Sequence, residues 1–317
     1  MNSISDFNTN ISDFFDLNPL PLTKSILTIG NFDGVHLGHQ AILRHMVEQG
    51  CSLGKPVVVI TFYPNPSDFF NSQSNRLYLS SPEEKEAYLL ESGVNRVITF
   101  AFNQNFANLS ANEFLLGLKE KFGLSLLVIG RDYALGKNRH GTLPVIQAIG
   151  KALSFQVEMI KPVYFEDHEV SSTQIRQRLD QGDVVCAARM LGRPYAVSGT
   201  VTHGADRGSR IGLPTANLSH WPKKKLPAVG VYATRVNLHG DSFLGITNIG
   251  YRPTFEQQSD QNIETHIMDF DGNIYGEKLT LHFIEKIRDE QKFDGITAFL
   301  AQIEHDKETA RKIFQDG

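Results

Sequence analysis

Residues 25–186 alternate short β-rich runs with helical patterns, and this alternation restricts the possible folds more than any other feature of the chain. Two strands that are connected through a helix run parallel, because the chain has to cross over the sheet between them. The five runs are Ser25–Gly30, Val57–Phe62, Arg96–Phe100, Leu126–Gly130 and Val157–Lys161. The pattern therefore predicts an α/β fold with a parallel sheet.

Helix start and stop signals lie between these runs. Ser110 and Glu113 have the spacing of a capping box, and Gly123 is placed to end the helix that follows. Gly50 is placed to end an earlier helix that begins near Leu37. Both glycines are thus expected just after the last helical turn.

The pattern changes after Pro194, where β-rich runs are separated by Gly, Pro, Asn and Asp without intervening helices. The runs are Tyr195–Thr202, Val229–Leu238, Phe243–Ile249, Ile263–Phe270 and Leu279–Ile287. They predict a small antiparallel barrel, with a sandwich as the alternative. An amphipathic helix closes the chain, with one apolar face formed by Ile296, Phe299, Leu300, Ile303 and Ala310.

The length of 317 residues fits two domains better than one. The change of pattern predicts a first domain at residues 1–186 and a second at residues 187–317. The formal net charge of −4 argues against a surface that binds nucleic acid. The basic run Lys223–Lys225 is expected to be a solvated loop.

Several features favour a cytoplasmic location. Cys51 and Cys186 are the only cysteines, and they form neither a disulfide framework nor a zinc-binding pair. Asp6 and Asp13 interrupt the apolar core that a secretory signal would need. No run of about 18 apolar residues is present, so we expect no membrane span.

A first candidate site follows the first predicted strand. His36 and His39 lie one helical turn apart where a helix should begin, so both imidazoles can face one anion beside the free N–H groups of the helix start. Such donors can stabilise the charge that develops as pyrophosphate leaves a nucleotide. The residues expected to approach the nucleotide here are Gly30, Phe32, Asp33 and Gly38. A structural turn with exposed histidines explains the isolated motif equally well.

The segment Val170–Arg176 offers a second set of donors, with Ser171, Ser172, Thr173 and Arg176 as nucleotide-binding candidates. On their own these hydroxyls are read more readily as helix caps. Together, the two segments resemble the signature of the adenylyltransferases in the nucleotidyltransferase superfamily. Loops of an α/β sheet meet at the carboxyl ends of its strands, where ligands bind.

The stretch Gly130–Gly141 resembles the flavin-adenylylating branch of that superfamily. The resemblance makes Asp132 and Arg139 flavin-binding candidates, whereas the bare sequence is equally a glycine-rich structural loop. Three positions depart from the residues usual in this branch. They are Leu135 in place of an aromatic residue, Thr142 in place of an acid or amide, and Asn65 in place of a histidine.

A second candidate site begins with a glycine-rich loop that could wrap phosphates and ends in a rigid Pro-Thr-Ala-Asn turn. Its nucleotide-binding candidates are Gly204, Arg207, Gly208 and Gly212. Thr215 and Asn217 supply two hard oxygen donors that could share a Mg²⁺ ion with nucleotide phosphates. A plain turn is the alternative interpretation of Thr215 and Asn217.

Residues 192–311 resemble riboflavin kinases, through Gly230–Tyr232, Gly245–Phe255 and Glu264–Phe270. Strand alternation places Glu264 and His266 on one face of a strand. The resemblance implies that Glu264 is the general base and that His266 has a supporting role, whereas the pattern alone allows a surface glutamate. The flavin-binding candidates of this block are Asn248, Arg252 and Phe255.

The chain as a whole is similar to the bacterial bifunctional riboflavin kinases/FMN adenylyltransferases, also called FAD synthetases. The resemblance implies a Rossmann-like nucleotidyltransferase domain followed by a small antiparallel β-barrel kinase domain with a C-terminal helix. It also implies ATP as co-substrate, Mg²⁺ as cofactor, and riboflavin, FMN and FAD as substrates or products. A nucleotidyltransferase for another phosphorylated substrate and a non-catalytic flavin-binding regulator are the alternatives. Neither nucleic acid nor a membrane is expected as a partner, and the sequence carries no readable signal on oligomerisation.

Overall fold

The computed structural model describes residues 24–71, 75–131, 133–203, 213–251 and 261–316. The chain divides into two compact units. The first comprises Met1–Arg76 and Pro82–Val170, and the second comprises Leu77–Ser81 and Ser171–Gly317. The domain boundary between residues 186 and 187 remains a prediction. In the part of the chain that is described, no helix is long and apolar enough to cross a membrane.

The first unit is built on a parallel sheet, which in the described residues has five strands in the order β3-β2-β1-β4-β5. These strands are β1 (Ser25–Ile29), β2 (Val57–Tyr63), β3 (Arg96–Ala101), β4 (Leu124–Gly130) and β5 (Gln156–Ile160). The helices are α1 (Leu37–Leu53), α2 (Pro66–Phe70), α3 (Pro82–Glu91), α4 (Gln104–Ala107), α5 (Ala111–Phe122) and α6 (Leu143–Leu153). A short hairpin of β6 (Tyr164–Phe165) and β7 (His168–Glu169) follows. The predicted α/β fold with a parallel sheet is confirmed.

Helices cover both faces of this sheet, because successive side chains of a strand point to opposite sides. Leu27 of β1 packs in a core cluster with Leu115 of α5 and Ile146 of α6. Its neighbour Ile26 packs in a separate cluster with Leu43 of α1. All five side chains are fully buried, each stabilising the fold by about 1.5–3 kcal/mol relative to exposure.

The helix start predicted at Ser110 is confirmed, whereas the helix end predicted at Gly50 is wrong. Ser110 and Glu113 form the predicted capping box at the start of α5. Helix α1, however, continues past Gly50 and ends at Gly54, which has the left-handed φ of 61°. Gly50 is buried, and a Cβ there would lie 2.6 Å from Val57 Cγ2. The prediction that Gly50 ends the helix is therefore wrong, since this glycine serves the packing of helix on strand.

The second unit contains a closed antiparallel barrel, whose described strands follow the order β10-β11-β12-β9-β8-β13. Its strands are β8 (Tyr195–Thr202), β9 (Ala216–His220), β10 (Gly230–Leu238), β11 (Asp241–Tyr251), β12 (Gln261–Ile267) and β13 (Lys278–Arg288). Its helices are α7 (Ser172–Asp180), α8 (Val184–Leu191) and α9 (Ile296–Asp316). The predicted barrel is confirmed. Strand β9 differs from expectation, because the Pro-Thr-Ala-Asn sequence fits a turn, whereas Ala216 and Asn217 begin a strand.

Helix α9 packs on the barrel with most of the predicted face at least partly buried, and of that face only Ile296 is exposed. Ala310 is fully buried among barrel residues, as expected, whereas Ile296 is 62% exposed. The contact between α9 and the barrel also contains a carboxylate. Asp306 is fully buried and accepts hydrogen bonds from Arg288 of β13 and from Gln302. The apolar periodicity could not identify this ion pair, because Asp306 reads as a surface residue.

The basic run also differs from expectation. Lys224 is 3% exposed, and its Nζ donates to the main-chain oxygen of Leu79 at 2.8 Å. The same ammonium lies 4.9 Å from the centre of the Tyr195 ring. Tyr78 forms a parallel β-bridge with Lys224. The prediction of a solvated loop is therefore wrong for Lys224, which binds the segment Leu77–Ser81 into the second unit.

Candidate active sites

The loop between β1 and α1 has an unusual backbone. Phe32, Gly34 and Val35 have φ values of 49°, 80° and 41°, in the left-handed region that suits Gly but strains other residues. For a β-branched residue such as Val35 this conformation is a genuine outlier, and it persists only where the surroundings enforce it. The side chains of Phe32 and Val35 are buried. The loop lies beside the point where the strand order changes direction, between β1 and β4, which is where open α/β sheets bind ligands.

The structure brings the two predicted histidines together at the start of α1. His36 is the N-cap residue, and the centres of the His36 and His39 rings lie 3.7 Å apart in a stacked arrangement. A Cβ on Gly38 would lie 3.1 Å from Cε1 of His36, so the glycine leaves room for that ring. The N-terminus of α1 adds main-chain N–H groups and a partial positive charge. An anion can therefore be bound here by ring and main-chain donors together.

Burial decides the charge of His39. Desolvation, and then the neighbouring charges of His36 and Lys85, lower the pKa of His39 well below its ordinary value of 6.5. The residue is therefore uncharged at neutral pH, with one ring N–H to donate. Its Nδ1 atom is buried and has no hydrogen-bond partner among the described residues. A bound phosphate would favour the protonated form and raise this pKa.

A cavity of about 590 Å³ opens at the carboxyl ends of β1 to β4. Its walls are mainly apolar and include six aromatic residues, of which the rings of Phe62, Phe102 and Phe106 lie 5.1–5.8 Å apart. The predicted residue Arg139 lines it, and so does Leu135, one of the departures from the usual pattern. Such a volume and lining suit a flat organic ring system of cofactor size.

The other predicted positions of this site are distributed as follows. Gly30 and Asn65 line the same cavity, whereas Thr142 is the N-cap residue of α6. A Cβ on Gly136 would lie 2.5 Å from the main-chain nitrogen of Ala111, so only glycine permits the loop to pack on α5. Asp33 is 5% exposed, and Asp132 lies outside the described residues.

The second predicted phosphate segment starts helix α7 in the second unit. Ser171 caps this helix by accepting a hydrogen bond from the main-chain N–H of Gln174. Arg176 donates from Nε to the oxygen of Leu77 at 2.8 Å and from Nη1 to the oxygen of Ser172 at 3.0 Å. Thr173 is exposed. The capping role is thus present, and the nucleotide-binding role of these residues remains a prediction.

The barrel brings the candidate general base and a candidate metal ligand side by side. In the register of the sheet, Glu264 of β12 lies opposite Asn217 of β9 and opposite Asn248 of β11. Asn262 Nδ2 donates to Glu264 Oε1 at 2.8 Å and lies 3.3 Å from Asn217 Oδ1. Ile263 is fully buried whereas Glu264 is partly exposed, as strand alternation predicts. A carboxylate and an amide oxygen therefore share one face of the barrel.

Thr215 lies on the turn that leads into β9, next to these residues. The ring Nδ1 of His266 donates to the main-chain oxygen of Pro214 at 2.9 Å and so fixes this turn. Desolvation lowers the pKa of His266, while its hydrogen bond to Pro214 opposes the shift. Thr215 and Thr265 line a pocket of about 240 Å³, which Tyr275 borders.

Several predicted residues of this site lie outside the described part of the chain. They are Gly204, Arg207, Gly208, Gly212, Arg252 and Phe255. Asn262, in contrast, is described but was not among the predicted residues. Period-2 alternation, which places Asn262, Glu264 and His266 on one face of β12, is the signal that could have identified it.

Comparisons with known proteins match both units. The family model for FAD synthetase matches residues 19–174, and the family model for riboflavin kinase matches residues 191–314. The bifunctional riboflavin kinase/FMN adenylyltransferase of Pseudomonas fluorescens is 38% identical over 91% of this chain and 92% of its own length. The corresponding protein of Escherichia coli K12 is 36% identical over 96% of this chain and 97% of its own.

A solved structure is also similar to this chain over most of its length. It is described as a macrolide-efflux protein from Streptococcus pneumoniae and is 32% identical to this chain. The match has a TM-score of 0.85 and covers 91% of this chain and 94% of the other.

Proposed function

Because this chain belongs to the family of bifunctional riboflavin kinases/FMN adenylyltransferases, we propose that its barrel site performs the kinase step and its sheet site the adenylylation step. The enzyme phosphorylates riboflavin to FMN with ATP, and it adenylylates FMN to FAD with release of pyrophosphate. The observation that carries the assignment of the kinase site is the placement of Glu264 opposite Asn217, with Asn262 between them.

In the kinase step, Glu264 accepts the proton of the riboflavin 5′-hydroxyl as that oxygen attacks the γ-phosphorus of ATP. A new P–O bond to riboflavin forms while the bond from the γ-phosphorus to the bridging oxygen breaks, and ADP leaves. The hydrogen bond from Asn262 holds one carboxylate oxygen of Glu264 in place. The other oxygen can then face the substrate.

The residues around Glu264 fit a Mg²⁺ ion. Thr215 and Asn217 present a hydroxyl and an amide oxygen, the hard donors that this cation prefers. Asn217 Oδ1 has two lone pairs, and the contact with Asn262 takes one of them, so one is left for a cation. When bound, Mg²⁺ would neutralise charge on the phosphates of ATP.

In the adenylylation step, the phosphate of FMN attacks the α-phosphorus of a second ATP and pyrophosphate leaves. His36 and His39 donate hydrogen bonds to the phosphate oxygens, and the N-terminus of α1 adds its positive potential. An ionised phosphate is already nucleophilic, so this site needs donors rather than a base. The aromatic cavity takes the flavin ring, with Arg139 at its wall.

The roles of Ser171, Ser172, Thr173 and Arg176 in holding ATP remain predictions. The cytoplasm, where ATP and free riboflavin meet, is the location that we propose. Cys51 and Cys186 are not joined in a disulfide, which agrees with a reducing compartment.

Product analysis with two variants tests the assignment. Purified protein is incubated with Mg²⁺-ATP and either riboflavin or FMN, and the flavins are separated by chromatography. The His36→Ala variant should form FMN but no FAD. The Glu264→Gln variant should form no FMN from riboflavin, yet it should convert supplied FMN to FAD.

Matched controls are His168→Ala and Glu308→Gln, since both side chains are exposed on the same two units. Loss of both activities in each active-site variant, with the protein still folded, would refute the assignment of one step to each site. Flavin binding without consumption of ATP by the wild type would instead indicate a regulator.

A further inference from the structure

Lys85 is a buried lysine beside the adenylylation site that no sequence pattern identified. It lies in α3 and is 6% exposed. Its Nζ atom donates to Thr61 Oγ1 at 3.0 Å, to the main-chain oxygen of Phe62 at 3.1 Å and to that of Asn31 at 3.3 Å. An ammonium group has three N–H donors, and each has an acceptor here. The ammonium group of Lys85 therefore binds oxygens of the protein and has no N–H left for a substrate phosphate.

Burying this cation has a cost. Desolvation lowers the pKa of Lys85 from 10.5 to about 8, while the nearby charge of Asp33 opposes the shift. An exposed lysine would avoid this penalty, and a buried polar group is tolerated when its hydrogen bonds are complete. All the oxygens that Lys85 binds belong to β2 or to the loop after β1.

The hydrogen bonds converge on one carbonyl group. The main-chain oxygen of Asn31 accepts from Lys85 and also from the hydroxyl of Thr61 at 3.2 Å. Asn31 immediately precedes Phe32, the first of the three loop residues with left-handed φ. A strained loop keeps its conformation only where its surroundings over-determine it. Lys85 and Thr61 supply that constraint at the point where the loop leaves the sheet.

We propose that Lys85 is a positioning residue for FMN adenylylation, which ties the carbonyl of Asn31 to β2 and so holds the loop of residues 30–38 ready to bind the phosphates of ATP. The inference rests on the proposed function of that loop. It assigns a role to a residue that contacts neither substrate. Thr61 has the same role, because it also donates to the carbonyl of Asn31.

Steady-state kinetics of the full-length enzyme test the proposal with the variants Lys85→Met and Thr61→Val. Each should raise the KM for ATP in FAD formation, by about tenfold or more for Lys85→Met, because a small displacement of phosphate-binding groups is costly. Thr61→Ser, which keeps the hydroxyl, should restore the KM to within about threefold of the wild type. FMN formation in the barrel should stay within about twofold. Lys151→Met, at an exposed lysine of α6, is the matched control.

The proposal is overturned if Lys85→Met and Thr61→Val leave the kinetics of FAD formation within about twofold of the wild type. It is also overturned if they slow FMN formation in the barrel by the same factor as FAD formation, because that pattern indicates general loss of structure. Should Lys85→Met fail to fold, the pair Thr61→Val and Thr61→Ser decides. The His36→Ala variant separates the two levels: if it still forms FAD, the function assigned to the loop fails, whatever Lys85 does.

Discussion

Replacing Asp306 with alanine should strongly destabilise the barrel unit. The carboxylate projects from α9 and is fully buried where it meets Arg288 of β13, while the Arg288 side chain is 17% exposed. Arg288 Nε lies 3.0 and 3.1 Å from the two carboxylate oxygens, and its Nη2 donates at 2.8 Å. Gln302 Nε2 donates to the same group at 2.8 Å. The substitution therefore leaves a mostly buried guanidinium without its counter-ion.

The expected magnitude follows from that geometry. Removing one partner of a buried ion pair costs about 3–5 kcal/mol, because the remaining charge stays desolvated. With a urea dependence of about 2 kcal/mol per molar, the midpoint of unfolding should fall by about 2 M. Replacing both partners, as Arg288→Met with Asp306→Leu, leaves no charge unpaired and should recover most of the loss.

Tryptophan fluorescence is a suitable assay, since Trp221 is the single tryptophan of the chain and lies in the second unit. Urea unfolding of the wild type, the single variant and the double variant gives the three midpoints. A shift below about 0.5 M for Asp306→Ala would show that the pair contributes no more than a surface ion pair. A double variant as unstable as the single one would contradict the explanation by an unpaired charge.

Three further predictions concern the sites. The lowered pKa of His39 means that its imidazole binds a proton only well below pH 6.5. Its imidazole NMR signal, which is identified by its loss in His39→Gln, should therefore not move between pH 8 and pH 6.5. A transition in that range would contradict the assigned burial. Gly136→Ala should raise the KM for FMN in FAD formation by about tenfold, because the new Cβ meets Ala111 and displaces a loop that lines the cavity. FMN formation should be unchanged. A KM for FMN equal to that of the wild type would refute the close approach. Asn217→Leu should raise the Mg²⁺ concentration needed for FMN formation by about tenfold, and it should leave the Mg²⁺ concentration needed for FAD formation unchanged. A Mg²⁺ titration of both activities measures this. An unchanged Mg²⁺ requirement for FMN formation would exclude Asn217 as a ligand.

Much of the fold could be predicted from the sequence because it depends on local pattern. The alternation of β-rich runs and helices fixes the parallel sheet, and the capping box at Ser110 fixes a helix start. The pairing of His36 with His39 is local in the same sense, since residues three apart share a helix face. The placement of Glu264 opposite Asn217 is different. It depends on the register between β12 and β9, which the sequence does not reveal when β9 itself reads as a turn.

What could not be predicted depends on packing between distant segments. Lys85 is flanked by Glu84 and Glu86, a pattern typical of an exposed helix, and it is buried only because α3 lies against β2 and the loop after β1. Gly50 shows the same limit. A glycine near the end of a helix fits both a cap and a close contact with a strand, and only the position of Val57 decides between them.

The segment Leu77–Ser81 belongs to the barrel unit, although the chain on either side of it belongs to the sheet unit. Tyr78 pairs with Lys224, and its ring lies 5.3 Å from that of Trp221. A protease that cuts once near residue 186 would therefore not release the whole second unit, because Leu77–Ser81 and helix α7 would stay with the other fragment.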